Sequence, residues 1–131
     1  YTFKVTNPGD AAATNVSVTG NRLPYAPKQT ITAGLGYLLP RGIEMLVEAV
    51  HMSAQFADDL NTVAPTADGQ RGLIAAQTVW NATLNVDVAP LRSTFFVAVK
   101  NALDELYIVD RTRGVLPGMP RTVQVGMKFK Y

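Results

Sequence analysis

Thr122-Val123-Gln124-Val125-Gly126-Met127-Lys128-Phe129-Lys130-Tyr131 ends the sequence, and its parity decides the fold. Val123, Val125, Met127, Phe129 and Tyr131 alternate without exception with Thr122, Gln124, Gly126, Lys128 and Lys130. Successive side chains of a strand point to opposite faces, so this is a strand with one apolar face and one polar face. A tilted strand of about ten residues is also long enough to cross a bilayer. The last residues of a soluble domain commonly fray, which makes so strict a pattern unusual at a soluble terminus.

The same rhythm recurs upstream. In Gln29–Tyr37, Ile31, Ala33, Leu35 and Tyr37 share a face opposite Thr30, Thr32, Gly34 and Gly36. Gln77–Val88 sets Trp80, Ala82, Leu84, Val86 and Val88 against Asn81, Thr83, Asn85 and Asp87. Ser93–Tyr107 is a further long candidate, rich in Phe95, Phe96, Val97 and Val99. In Ile43–Phe56 the apolar set changes parity near Ala49 and Val50, which a β-bulge would repair. An amphipathic helix is the rival for that segment, and strand is the favoured reading. The connections at Pro40 and Pro90 are short, whereas 6–28, 57–76 and 110–120 are long and rich in Gly, Pro, Asn and Asp. Short turns at one rim and long loops at the other describe an outer-membrane barrel.

Composition narrows the function classes. The 131 residues suit one domain; 47% are hydrophobic and only 17% charged, against roughly a quarter charged in soluble domains. Twelve basic against ten acidic residues leave a net charge of +2, too little to argue for nucleic acid. With no cysteine and one histidine, disulfides, thiolate sites and imidazole clusters are excluded. No run approaches the ~18 apolar residues of a membrane helix, so any membrane crossing is by strands. The sequence opens at Tyr1 with no signal-peptide pattern and reads as a piece of something longer.

Four stretches, in order, carry a family resemblance. Gly20-Asn21-Arg22-Leu23-Pro24-Tyr25-Ala26-Pro27-Lys28 leads into an alternating strand, and Gln55-Phe56-Ala57-Asp58-Asp59-Leu60-Asn61-Thr62 follows. Val99-Lys100-Asn101-Ala102-Leu103-Asp104-Glu105-Leu106-Tyr107-Ile108 is similar to a Val-x-Asn-Leu-Phe-Asp-x-x-Tyr signature, with Ala102-Leu103 where Leu-Phe is commoner. Gly118-Met119-Pro120-Arg121-Thr122-Val123 introduces the final strand, and Tyr131 stands where the family ends in an aromatic, most often Phe. Together they resemble the barrels of TonB-dependent outer-membrane receptors of the ferric-siderophore type, including the ferric-citrate-like branch.

The resemblance implies an all-β fold: an antiparallel transmembrane barrel fragment of about six long strands, with short periplasmic turns and long extracellular loops. Residues 1–131 would be the C-terminal part of a barrel of roughly 22 strands, without its plug domain. It implies transport of a ferric siderophore or related iron chelate across the outer membrane of a Gram-negative bacterium. The implied partners are the receptor's own plug, TonB, the barrel-assembly machinery and outer-membrane lipid; no enzymatic activity, cofactor or nucleic acid is implied. Val125, Met127, Phe129 and Tyr131 would form the assembly signal.

Among candidate site residues, Arg111 and Arg113 in Asp110-Arg111-Thr112-Arg113-Gly114, with Arg71 from the neighbouring loop, suit an anionic ferric chelate because guanidinium forks match carboxylates. Lipopolysaccharide phosphate or Asp110 is the competing partner. His51 with Asp58 and Asp59 lacks a second imidazole or a nucleophile elbow, so a polar rim is the better reading. Asp58, Asp59 and Asp68 lack calcium-loop spacing. Lys128 and Lys130 belong on the lumen face, where plug carboxylates or Glu44 and Glu48 would meet them, and Tyr37 and Trp80 suit interfacial girdles. The asparagine sequons at Asn15 and Asn81 carry no meaning in such a membrane. Two other readings stay open: a porin-like or adhesin barrel, and a soluble β-sandwich binding module.

Overall fold

The computed structural model describes residues 4–6 and 15–129. In chain order the strands are β1 (Lys4–Thr6), β2 (Asn15–Ser17), β3 (Thr30–Leu39), β4 (Ile43–Met52), β5 (Gln55–Phe56), β6 (Leu73–Ile74), β7 (Gln77–Val88), β8 (Ser93–Lys100), β9 (Ile108–Asp110), β10 (Leu116–Pro117) and β11 (Thr122–Phe129). They fall into two compact units, one formed by Tyr1–Lys28, Ser53–Ala76 and Tyr107–Gly118, the other by Gln29–Met52, Gln77–Leu106 and Met119–Tyr131.

The second unit is one antiparallel sheet in the order β11-β8-β7-β4-β3. Its register aligns the sequence periodicities. Tyr37 faces Met45, Met45 faces Leu84, Leu84 faces Val97 and Val97 faces Val125. One face therefore carries an apolar field from Leu35 and Tyr37 across Met45, Leu84 and Val97 to Val125 and Met127. Protein does not cover it: Leu35 is 78% exposed, Tyr37 64% and Val125 74%. A soluble sandwich would bury this face, because a patch of this extent costs about 25 cal/mol for each Å² left in water.

The opposite face carries the charged and amide residues of the strands, beside Leu38, Leu46, Val50, Phe96 and Ala98, and its polar groups are internally bonded. Asn81 Nδ2 donates to Glu48 Oε1 at 3.1 Å, Asn85 Nδ2 to Glu44 Oε2 at 3.3 Å, and Thr94 Oγ1 to Asp87 Oδ1. The glutamates are thus engaged by asparagines of the next strand rather than by Lys128, whose register partner is Thr94. On this face the Phe96 ring lies over Gly126, where a Cβ would sit 2.5 Å from the ring.

Four expectations change. The β-bulge near Ala49–Val50 does not occur, since β4 pairs without a register shift against both β3 and β7. What changes instead is the chemistry of the faces. Towards the end of β4 the outer positions become His51 and Thr78, joined at 2.9 Å, while Val50 and Met52 take the other face. The strand expected to reach Phe56 stops at Met52, and Gln55–Phe56 pairs instead with Leu73–Ile74. Likewise Ser93–Tyr107 is a strand only to Lys100, because Asn101 turns the chain at φ 50°. Five long strands form the sheet; of the sixth expected one, Lys4–Thr6 pairs with Asn15–Ser17, and the rest lies outside the described residues, as do Lys130 and Tyr131.

Candidate loop-body site

The first unit gathers the long connections, and two of the resemblance motifs are hydrogen-bond partners within it. Asn61, at φ 53°, accepts the Arg22 N–H at 2.8 Å and donates to the Arg22 carbonyl at 2.8 Å. Asn21 Nδ2 donates to the Asp59 carbonyl at 2.7 Å. Arg22 Nη2 donates to the Ala26 and Ala54 carbonyls, each at 3.1 Å, and its guanidinium lies 5.4 Å from the Phe56 ring centroid. Asp58 accepts the Leu60 and Thr62 N–H groups and the Thr62 hydroxyl, closing its own turn. Val18 and Ile74, 0% and 2% exposed, are the buried apolar residues of the described chain, and both belong to this unit.

Tyr25 connects the third segment. Its backbone N–H donates to the Phe56 carbonyl at 2.8 Å, and its hydroxyl accepts the Arg111 N–H at 3.1 Å. Hydrogen bonds from the Thr112 side chain, then Tyr25, then the Thr112 backbone hold the Asp110 carboxyl down at about 2. Asp68 is also lowered, chiefly by the Thr66 hydroxyl and then by the Gln70 backbone.

The three arginines singled out from the sequence have different settings. Arg111 is 4% exposed, donates from Nη1 to the Gly69 carbonyl at 3.0 Å, and has a buried Nε without a partner among the described residues. It joins the 107–118 segment to the 53–76 segment. Arg113 is exposed one turn further on. Arg71 is half-buried beside Asp58, Asp59 and Leu60, around a cavity of about 120 Å³ that Val5 and Thr6 complete. No cluster of metal-ligating side chains occurs among the described residues.

The Asn-x-x-Asp motif is structural in the same sense. Asn101, 2% exposed, donates from Nδ2 to the Glu105 and Met119 carbonyls at 3.0 and 2.9 Å and accepts the Glu105 N–H at 2.9 Å. Asp104 accepts the Arg121 N–H at 2.8 Å. The alternation of the strands does not mark these polar residues as main-chain partners. Asn61, Asn101 and Asp104 all stand at left-handed positions, where Asn and Asp are enriched.

No family model matches the sequence. Two solved structures are similar to it. The unliganded ferric citrate transporter FecA superposes with a TM-score of 0.73 over 82% of this chain at 33% identity. The siderophore receptor PiuA from Acinetobacter baumannii superposes with a TM-score of 0.75 over 98% at 19% identity, a likeness of fold. The chain spans 17% of the length of each.

Proposed function

From the premise that the chain is a segment of a TonB-dependent receptor barrel, we propose that it forms the C-terminal wall and outer loops of an outer-membrane importer of a ferric siderophore or related iron chelate. It is a transport protein and not an enzyme. The observation that carries the reading is the sheet with one uncovered apolar face and one hydrogen-bonded polar face. Lipid would cover the first, and the second would line a lumen holding the plug. A hollow of about 460 Å³ on the sheet, lined by Gly36, Glu44, Leu46, Thr83 and Asn85 among others, offers room for plug side chains.

Within this proposal the loop unit presents substrate contacts. Arg113 is exposed for an anionic chelate and Arg71 borders a cavity, whereas Arg111 acts by holding its loop to Gly69. TonB would supply energy through the plug. β11 stands at one edge of this sheet, and a strand edge is a template for strand addition, which supports an assembly signal in Val125, Met127, Phe129 and Tyr131. Uptake of radioactive iron into cells carrying or lacking the intact receptor, across citrate, catecholate and hydroxamate chelates, tests the reading. Uptake of at least one chelate should require the receptor; equal uptake of all of them without it would overturn the reading.

A further inference from the structure

We infer that the short-turn end of the sheet carries a seat for the phosphate of an anionic phospholipid headgroup, formed by Arg41 and Arg92. The inference rests on the membrane reading above, which puts these turns at the inner leaflet. Leu39 pairs with Ile43 and Val88 with Ser93, so the connections 40–42 and 89–92 lie side by side at one end. The Asp87 N–H donates to the Gly42 carbonyl at 2.8 Å, and a Cβ on Gly42 would stand 2.7 Å from the Asp87 Cβ. The first turn therefore touches the end of β7 through backbone, and the sheet fixes where the two connections leave it.

Arg41 borders a groove of about 470 Å³ that Gly42, Asp87, Val88, Ala89 and Pro90 complete. An adjoining hollow of about 260 Å³ is lined by Asp87, Val88, Ala89, Arg92 and Ser93, so the same three residues join both arginines to one rim. Arg41 and Arg92 are exposed and left-handed, at φ 73° and 45°. Gly or Asn would occupy such positions at lower cost, so the backbone does not account for arginine at either.

Charge and depth agree. The Asp87 carboxyl is turned to the Thr94 hydroxyl on the polar face. Glu44 and Lys128 lie on that polar face, away from the lipid side. At the turns themselves Arg41 and Arg92 against Asp87 leave the rim with a net positive charge. Next to it Tyr37, Leu39 and Leu91 are exposed, at the level where the apolar field ends. A phosphate with acyl chains below it fits that order, and guanidinium forks match phosphate oxygens. Phosphatidylglycerol, with one net negative charge on its phosphate, is the probe of that class.

The test compares the intact receptor with its Arg41→Asn/Arg92→Asn variant, asparagine being chosen because it tolerates both φ values. Each protein is reconstituted in phosphatidylcholine vesicles with and without phosphatidylglycerol, and retained lipid is read by native mass spectrometry after gentle extraction. The wild type should retain phosphatidylglycerol over phosphatidylcholine. The variant should lose about fivefold of that preference per arginine, the size expected for a basic residue at an anionic leaflet, with unchanged heat-modifiable migration as the check on folding. Equal preference in both proteins overturns the seat, as does displacement of the lipid by inorganic phosphate, which would mark a free-anion site. Failure of both proteins to enter vesicles would instead overturn the membrane reading.

Discussion

Replacing Asn101 by alanine should release the connection from β8 to β11 without dissolving the sheet. The amide makes three side-chain hydrogen bonds to main chain, at 3.0, 2.9 and 2.9 Å, in a site 2% exposed. At roughly 1 kcal/mol for each neutral bond, their loss costs about 3 kcal/mol. Alanine at φ 50° adds about 1 kcal/mol of left-handed strain. Glu105 and Met119 are exposed, so water replaces part of what is lost, and about 3 kcal/mol is the working figure. Hydrogen exchange followed by mass spectrometry on peptides spanning 101–121 of the intact receptor reads this local opening directly. Exchange at the Glu105 amide should accelerate by about two orders of magnitude, while amides of β4 and β7 keep their rates. Asn101→Gly separates the terms: it relieves the strain and should be about fivefold slower in exchange than the alanine variant. An alanine variant exchanging at the wild-type rate would refute the reasoning, and so would a glycine variant fully restored to that rate, since the amide bonds would then carry nothing.

Three further outcomes follow from the same geometry. Val125→Lys on the exposed apolar face should cost about 2–4 kcal/mol in a bilayer and reduce folded receptor in the outer-membrane fraction, whereas Gln124→Lys on the other face should not; equal levels for both would remove the assignment of faces. Gly42→Ala combines φ +75° with a Cβ 2.7 Å from that of Asp87, so its thermal unfolding in detergent should fall by the equivalent of about 1–3 kcal/mol. Asp110 is held down from 3.8 to about 2, so its charged form is favoured in the folded loop; that contribution is complete above about pH 4 and is lost as pH falls through about 2. Pepsin cleavage within 107–118 should rise over that window, and Tyr25→Phe should bring the rise to higher pH; a profile unmoved by Tyr25→Phe would show that the hydroxyl does not hold the carboxylate.

Strand existence was legible because parity is a local property. Gln77–Val88 came out of the sequence with the boundaries the structure has, β3 came within a residue or two, and β11 begins at Thr122 as read. The error at Ala49–Val50 came from treating one face as apolar along its whole length. His51 and Thr78 show that polarity along a face can change while the pairing stays continuous, so a change of parity is not by itself evidence of a bulge. The extra length given to Ser93–Tyr107 came from reading Asn101 as one more strand residue, when its side chain is committed to main chain 4 and 18 residues away.

The loop residues divide along the same line. Alternating strands, the side chains that share a face, and the places of the arginines in the long connections are all local in the sequence, because each depends on neighbours a few positions apart. Tertiary structure alone decided that Asn61 closes on Arg22, 39 residues away, that the Tyr25 hydroxyl reaches the Arg111 N–H, 86 residues away, and that Arg111 is buried while Arg113 is exposed. A hydrogen bond needs its two groups brought within about 3 Å. No periodicity in the sequence records which distant residue folding will carry to that distance.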